Sequence, residues 1–232
     1  ARLKGHEDGV YCVEFSPDGR LLASADAAGR IRLWQVTPTG AQPIGPESMN
    51  GADGHRGRVT SLAFGFDGRF LVSGGWDNQV IVWDVSAPER PRMLASSRLR
   101  QNAGERHRSV VYAVAFVAPH LVAAGDWNGE VRLWKWSPQQ NANGKVAPLD
   151  SKRRLLFADA GLPGAVHGIA YDPTQDRLAA NGWVTIDKES NEKRSRVAVW
   201  ESVTTEPRLV DDPGGGRRSE FPGFGVDFSL DG

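Results

Sequence analysis

Apolar and polar residues alternate with a period of two in four short windows: Val10 to Phe15, Val59 to Phe64, Val111 to Phe116 and Val166 to Tyr171. That period places successive side chains on opposite faces of an extended chain, so each window predicts a half-buried β-strand. Pro17-Asp18-Gly19 and Phe66-Asp67-Gly68 close the first two windows, and glycine there supplies the left-handed position a tight reversal needs. A second apolar run follows each window: Leu21 to Ser24, Phe70 to Ser73, Leu121 to Ala124, and Leu178 to Ala180. A third run ends each time in tryptophan, at Trp34, Trp83, Trp134 and Trp200. Arg92 to Leu94 and Arg154 to Phe157 read as fourth, outer strands. The chain is therefore expected to be all-β.

The windows are copies of one unit. His6, His55 and His107 each precede a β-branched residue by four positions (Val10, Val59, Val111) and an aromatic by nine (Phe15, Phe64, Phe116). The fourth copy keeps Val166, Ile169 and Tyr171 but has Leu162 in place of the histidine. A fifth begins at Gly223, keeps Val226 and Phe228, and runs to Ser229-Leu230-Asp231-Gly232. Four antiparallel strands per unit, repeated radially, form a propeller blade. The four terminal tryptophans lie 49, 51 and 66 residues apart, the excess falling in 137–152 and in the charged stretch 184–194, read as a solvated hairpin extension. Blades are expected at about 5–53, 54–105, 106–160 and 161–217, with the first strand of a fifth in 218–232.

These residues resemble the WD40 β-propeller repeat. Its Gly-His pair is literal at Gly5-His6 and Gly54-His55, and its Trp-Asp pair at Trp83-Asp84; Trp34-Gln35, Trp134-Lys135 and Trp200-Glu201 vary it. The resemblance implies a ring of about seven blades, so four and a fraction would be part of a larger ring. The divergent Ala/Gly/Arg-rich copies look like those of bacterial multidomain proteins, in which a propeller serves as sensor for an attached domain. The resemblance also implies, in blade two, a buried structural tetrad of His55, Ser73, Asp77 and Trp83. A hydrolase triad of His55, Ser73 and Asp77 is the competing idea. The other copies carry degraded versions, with Ala28 at the Asp position of blade one and Ala124 and Asn128 in blade three, and degraded echoes suit a structural device rather than a catalytic one.

Lys plus Arg and Asp plus Glu both number 28, so no global charge draws the chain to nucleic acid or an anionic membrane. Cys12 stands alone, which excludes an internal disulfide and suits a reducing, cytoplasmic setting. Five dispersed histidines form no zinc spacing, and no cofactor or metal is expected. Asp126 to Glu130 loosely suggests a calcium loop, but the same turn recurs without its carboxylates.

Trp76, Trp127 and Trp183 share one register position ahead of the third strand, where blade one has Ala27. In a WD40 ring that turn lies on the top rim. Exposed tryptophans there would anchor a protein or peptide partner, with Arg58, Arg108 and Asp77 for polar selection. The alternative is that each ring packs structurally over a neighbouring turn. Arg56, Arg58, Arg98, Arg100, Arg106, Arg108, Arg217 and Arg218 on the same face could hold phosphates beside stacked bases, yet Glu7, Asp8, Asp53, Glu105, Asp211 and Asp212 interleave with them, which disfavours nucleic acid. The sequence thus predicts a non-enzymatic interaction scaffold or sensor module, with a nucleic-acid-binding propeller and a plain structural spacer as alternatives.

Overall fold

A computed structural model describes residues 3–49, 54–99, 107, 109–138, 146–157, 164–187, 189, 192–211 and 226–227. Four sheets follow one another. Blade one is β1 (Val10–Phe15), β2 (Leu21–Asp26), β3 (Ile31–Thr37) and β4 (Gly40–Ile44); blade two is β5 (Val59–Phe64), β6 (Phe70–Gly75), β7 (Val80–Asp84) and β8 (Arg92–Ser96). Blade three contains β9 (Val111–Ala118), β10 (Leu121–Asp126), β11 (Glu130–Lys135) and, after the short β12 (Ala147–Pro148), β13 (Asp150–Leu156). Blade four is β14 (Gly164–Asp172), β15 (Arg177–Asp187), β16 (Glu192–Glu201) and β17 (Arg208–Asp211). Each blade is an antiparallel meander, its strands hydrogen-bonded in chain order. In the stretch 184–194, β15 pairs with β16 as far as Asp187 opposite Glu192, extending the blade-four hairpin.

The long connection 137–152 is not all loop. β12 adds itself parallel to β8, with Ala147 opposite Ala95 and Pro148 opposite Ser96, and so gives blade two a fifth strand. Leu149, fully buried, and Trp136, 2% exposed, lock this return in place. The Trp136 ring stands edge-on to Phe70 at 4.7 Å and to His120 at 5.1 Å. Of the fifth copy only Val226 and Asp227 fall within the described residues, and they form no strand there.

Blades stack through their faces. One core joins Ala23, Ile31 and Leu33 of blade one to Val59, Leu62, Phe64 and Trp83 of blade two. Equivalent cores join blades two and three, and three and four. Thr60 Oγ1 donates to the Val111 carbonyl, and Val114 N–H to Ser61 Oγ at 3.1 Å, tying the inner strands of blades two and three. The inner strands β1, β5, β9 and β14 line a channel of about 450 Å³. Burial, then repulsion from Glu14, pushes the Cys12 thiol in its wall up to about 12.

Three registers compare one position: Val13 faces Ser24, Leu62 faces Ser73, and Val114 faces Ala124. Leu62 is 6% exposed and Val114 4%, each covered by the preceding blade, whereas Val13 is 58% exposed. Val10 and Phe15 lie open beside it on the same strand. Covering such a side chain is worth about 1.5–3 kcal/mol, so Leu62→Ala should cost about 2–4 kcal/mol. Val13→Ala should cost under about 0.5 kcal/mol, as at other uncovered sites. Urea denaturation of the two variants measures the difference; equal losses would mean the blade-one face is covered.

Inside the blades, polar chains replace part of the apolar core. In blade two His55 Nδ1 donates to Asp77 Oδ1 at 2.9 Å, His55 Nε2 accepts from Ser73 Oγ at 2.8 Å, and Trp83 Nε1 donates to the same hydroxyl at 2.8 Å. Blade one is not degraded, contrary to the expectation from Ala28. Its carboxylate is Asp26, two residues earlier: His6 Nδ1 meets Asp26 Oδ2 at 2.8 Å, His6 Nε2 meets Ser24 Oγ at 2.6 Å, and Trp34 Nε1 donates to Ser24 Oγ at 2.7 Å. Blade three uses the matching Asp126, 3.0 Å from His107 Nδ1. With Ala124 in place of the serine, Trp134 Nε1 reaches His107 Nε2 directly at 3.3 Å.

The shift follows from a missing side chain. The blade-two residue aligned with Asp26 and Asp126 is Gly75, where a Cβ would lie 2.7 Å from the Arg58 carbonyl oxygen and 3.0 Å from His55 Nδ1. The carboxylate therefore comes from Asp77. Blade four has Ala180 at the hydroxyl position and Gly182 and Val184 at the two carboxylate positions, and Leu162 lies outside the described residues.

Candidate functional site

The blade ends carrying the β2–β3, β6–β7 and β10–β11 turns form one rim of the channel. In each turn an N–H donates to the residue preceding the inner strand: Ala27 to Gly9 O at 2.9 Å, Trp76 to Arg58 O at 2.8 Å, and Trp127 to Val110 O at 2.9 Å. Gly29, Asn78 and Gly129, all at positive φ, complete the reversals. The backbone beneath Trp76 and Trp127 is thus fixed, while their rings stay 46% and 42% exposed. Trp34, Trp83, Trp134 and Trp200, by contrast, are at most 3% exposed.

Trp183 holds the same register but is not in a turn. The long hairpin carries β15 past it, so Trp183 sits mid-strand, opposite Ala165 and Ser195. Its ring is partly exposed and stands edge-on to Trp127, centroids 5.5 Å apart at 80°. Trp127 also meets Tyr112 at 5.5 Å and His167 at 6.0 Å, and those two meet each other at 5.4 Å. Burial holds His167 below the ordinary histidine range, so it joins the cluster as a neutral ring. Lys193 Nζ lies 4.2 Å from the centre of Trp183.

Trp76 belongs to a second group. The Arg58 guanidinium carbon is 4.2 Å from the Trp76 centroid and 3.8 Å from that of Tyr11, which blade one contributes. Among the described residues no ring contact links Trp76 to Trp127, so the rim carries two adjacent aromatic groups rather than one continuous arc.

Tyr11, Tyr112, His167 and Lys193 were not singled out from the sequence. The first three share a legible signal, since each directly follows the repeated valine of an inner strand (Val10, Val111, Val166). Arg108 lies outside the described residues. Asp77 does not join the rim as a selector: besides His55, its oxygens take Arg56 N–H at 2.9 Å and the Gln79 side-chain amide at 2.7 Å. Burial pushes its carboxyl up, but the His55 bond and charge and the backbone N–H groups outweigh this and hold it below the usual carboxylate range.

The carboxylates of the suspected calcium loop are also engaged. Asp126 Oδ1 accepts the N–H groups of Asn128 and Glu130, each at 3.0 Å, and Glu130 pairs with Arg132 and, at 2.7 Å, with Arg154. No cluster of metal-ligating side chains occurs among the described residues.

Four-stranded meanders stacked face to face around a shared channel define a β-propeller. The WD domain, G-beta repeat profile matches residues 1–35 and 48–84, so the chain carries WD40 repeats. Two of its relatives are the 66 kDa stress protein of Physarum polycephalum, 31% identical over 134 residues, and the guanine nucleotide-binding protein subunit beta of Arabidopsis thaliana, 31% identical over 132. These matches cover 58% and 56% of this chain but only 20% and 33% of the two relatives. The solved structure of U3-55K shares the fold, with a TM-score of 0.59 at 18% identity over 89% of this chain and 53% of that one. WD40-repeat proteins typically act as scaffolds for protein interaction and are generally not enzymes.

Proposed function

We propose that this propeller is a non-enzymatic, cytoplasmic interaction module that holds a protein or peptide partner on its top rim, within a larger protein or assembly. Trp76, Trp127 and Trp183 anchor the partner, and Arg58 selects among partners. The observation that carries this reading is the split in tryptophan exposure. Four rings close the blades at no more than 3% exposure, while Trp76 and Trp127 hold 42% or more of theirs open on rigid turns. A large, rigid aromatic surface costs little side-chain entropy to immobilise, which is why tryptophan dominates interface hot spots. That the Arabidopsis relative is a subunit of a larger protein supports an assembled role.

The test uses peptides selected by display against the folded chain. Trp76→Ala, Trp127→Ala and Trp183→Ala combined should weaken their binding at least about a hundredfold, two hot-spot losses at the threshold of 2 kcal/mol being more than sufficient. The melting temperature should fall by only a few degrees. A fall of ten degrees or more with binding retained would make the rings packing elements and the module a spacer. Selection of oligonucleotides with a steep salt dependence instead would point to nucleic acid.

A further inference from the structure

We propose that Arg58 is a carboxylate-reading site, taking an acidic side chain of a peptide whose neighbouring apolar or aromatic residue rests on the Trp127 group. This deepens the top-rim reading and rests on it. The guanidinium lies between two rings from different blades, 3.8 Å from Tyr11 and 4.2 Å from Trp76. With both faces covered, its planar edge is left to contact a ligand. Arg58 Nε is buried without a hydrogen-bond partner, so the two terminal amines are the donors left for a ligand, and no carboxylate of the described residues pairs with them.

Two acids of the adjoining blade ends are committed elsewhere. Glu7 takes Arg30 at 2.5 Å, and Asp77 is filled by His55, Arg56 and Gln79. The arginine is also held in place from its backbone, because its carbonyl receives Trp76 N–H and the next residue, Val59, is fully buried. A planar fork fixed between two rings, with its donors unspent, is arranged for bidentate binding of a planar oxyanion. A carboxylate fits better than a nucleic-acid backbone. A single guanidinium accommodates one isolated negative charge, whereas the regular run that phosphodiesters present needs several cations in line.

The full chain, ¹⁵N-labelled, would be titrated with N-acetyl-Glu-Trp-amide, its neutral twin N-acetyl-Gln-Trp-amide and an octathymidylate, following the arginine Nε–Hε signals and the affinity. The Arg58 signal, assigned through its loss in Arg58→Lys, should move with the Glu probe. That probe should bind about tenfold or more tighter than the Gln probe, and Arg58→Lys, which keeps the charge but loses the fork, should erase most of the preference. Trp127→Ala should weaken both peptides alike and leave the preference intact. Equal affinities, an unmoved signal, or no binding of either peptide up to about 10 mM, where binding free energy is negligible, would overturn the proposal. Tighter binding of octathymidylate would overturn it in favour of phosphate. If the Glu preference persists while Trp127→Ala changes nothing, the aromatic part of the top-rim reading fails and the Arg58 site stands.

Discussion

Gly182→Ala is expected to destabilise the protein by about 3 kcal/mol or more, the high end for overpacked interiors. Gly182 lies in β15, and a Cβ built there falls 1.8 Å from the Ala165 carbonyl oxygen and 2.9 Å from its carbon. Ordinary non-bonded contacts need about 3.5 Å, and here the obstacle is backbone rather than a side chain able to turn away. β14 would have to move, and it is pinned on its other face by the blade-three core through Val166. Gly19→Ala separates this clash from general loss of glycine. Gly19 has φ +69° but nothing within 4 Å of the added carbon, so it should cost only about 1–2 kcal/mol of backbone conformation. Chemical denaturation of both variants reads the result. Equal losses would show that crowding at Gly182 is not what matters.

The second large effect is at His55. Alanine there removes both bonds of the imidazole, leaves Asp77 Oδ1 and the Ser73 hydroxyl without their partner, and opens a cavity at a fully buried ring. Each buried polar group left unsatisfied costs about 1–3 kcal/mol. The expected loss is about 3 kcal/mol in all, or roughly 6–12 °C in melting temperature for a domain of this size. Ser73→Ala should be milder, about 1 kcal/mol, because blade three shows what replaces the hydroxyl: Trp134 turns its N–H directly onto His107. The tetrad also sets an acid limit. Asp77 has its carboxyl held below the ordinary range, so its stabilisation is fully present above about pH 4. It is lost as pH falls through the lower, folded value. Asp77→Asn should flatten that acid limb. An unchanged pH profile, or a His55→Ala loss below about 1 kcal/mol, would contradict this account of blade two.

Much of the architecture was legible because a strand has one period and a blade repeats it. Val10, Val59 and Val111 open inner strands and Val166 lies near the start of the fourth, and each buried tryptophan falls in the third strand of its blade. What stayed hidden depended on relations that periodicity does not encode. Asp26 and Asp126 were missed because the carboxylate was sought at the offset of Asp77, although an imidazole nitrogen can be reached from two positions of the same turn. Which position is used depends on the residue at the earlier one: Asp26 and Asp126 stand there in blades one and three, Gly75 in blade two. β12 is two residues long and pairs in parallel with another blade, so no local alternation announces it. Trp136 carries no repeat signal, because its partners, Phe70 and His120, come from a different blade and a different turn. The rim itself was partly legible. The three shared tryptophan positions were visible as a column, whereas their grouping with Tyr11, Tyr112, His167 and Arg58 follows from how neighbouring inner strands stagger around the channel.

The division of the tryptophans into blade-closing and partner-facing rings can be read ring by ring. With 5-fluorotryptophan incorporated at all eight positions, a display-selected peptide should shift the fluorine signals of Trp76, Trp127 and Trp183. Those of Trp34, Trp83, Trp134 and Trp200 should stay in place. A peptide that binds tightly yet moves only the buried set, or leaves all eight signals unchanged, would contradict the assignment of this rim as the binding surface.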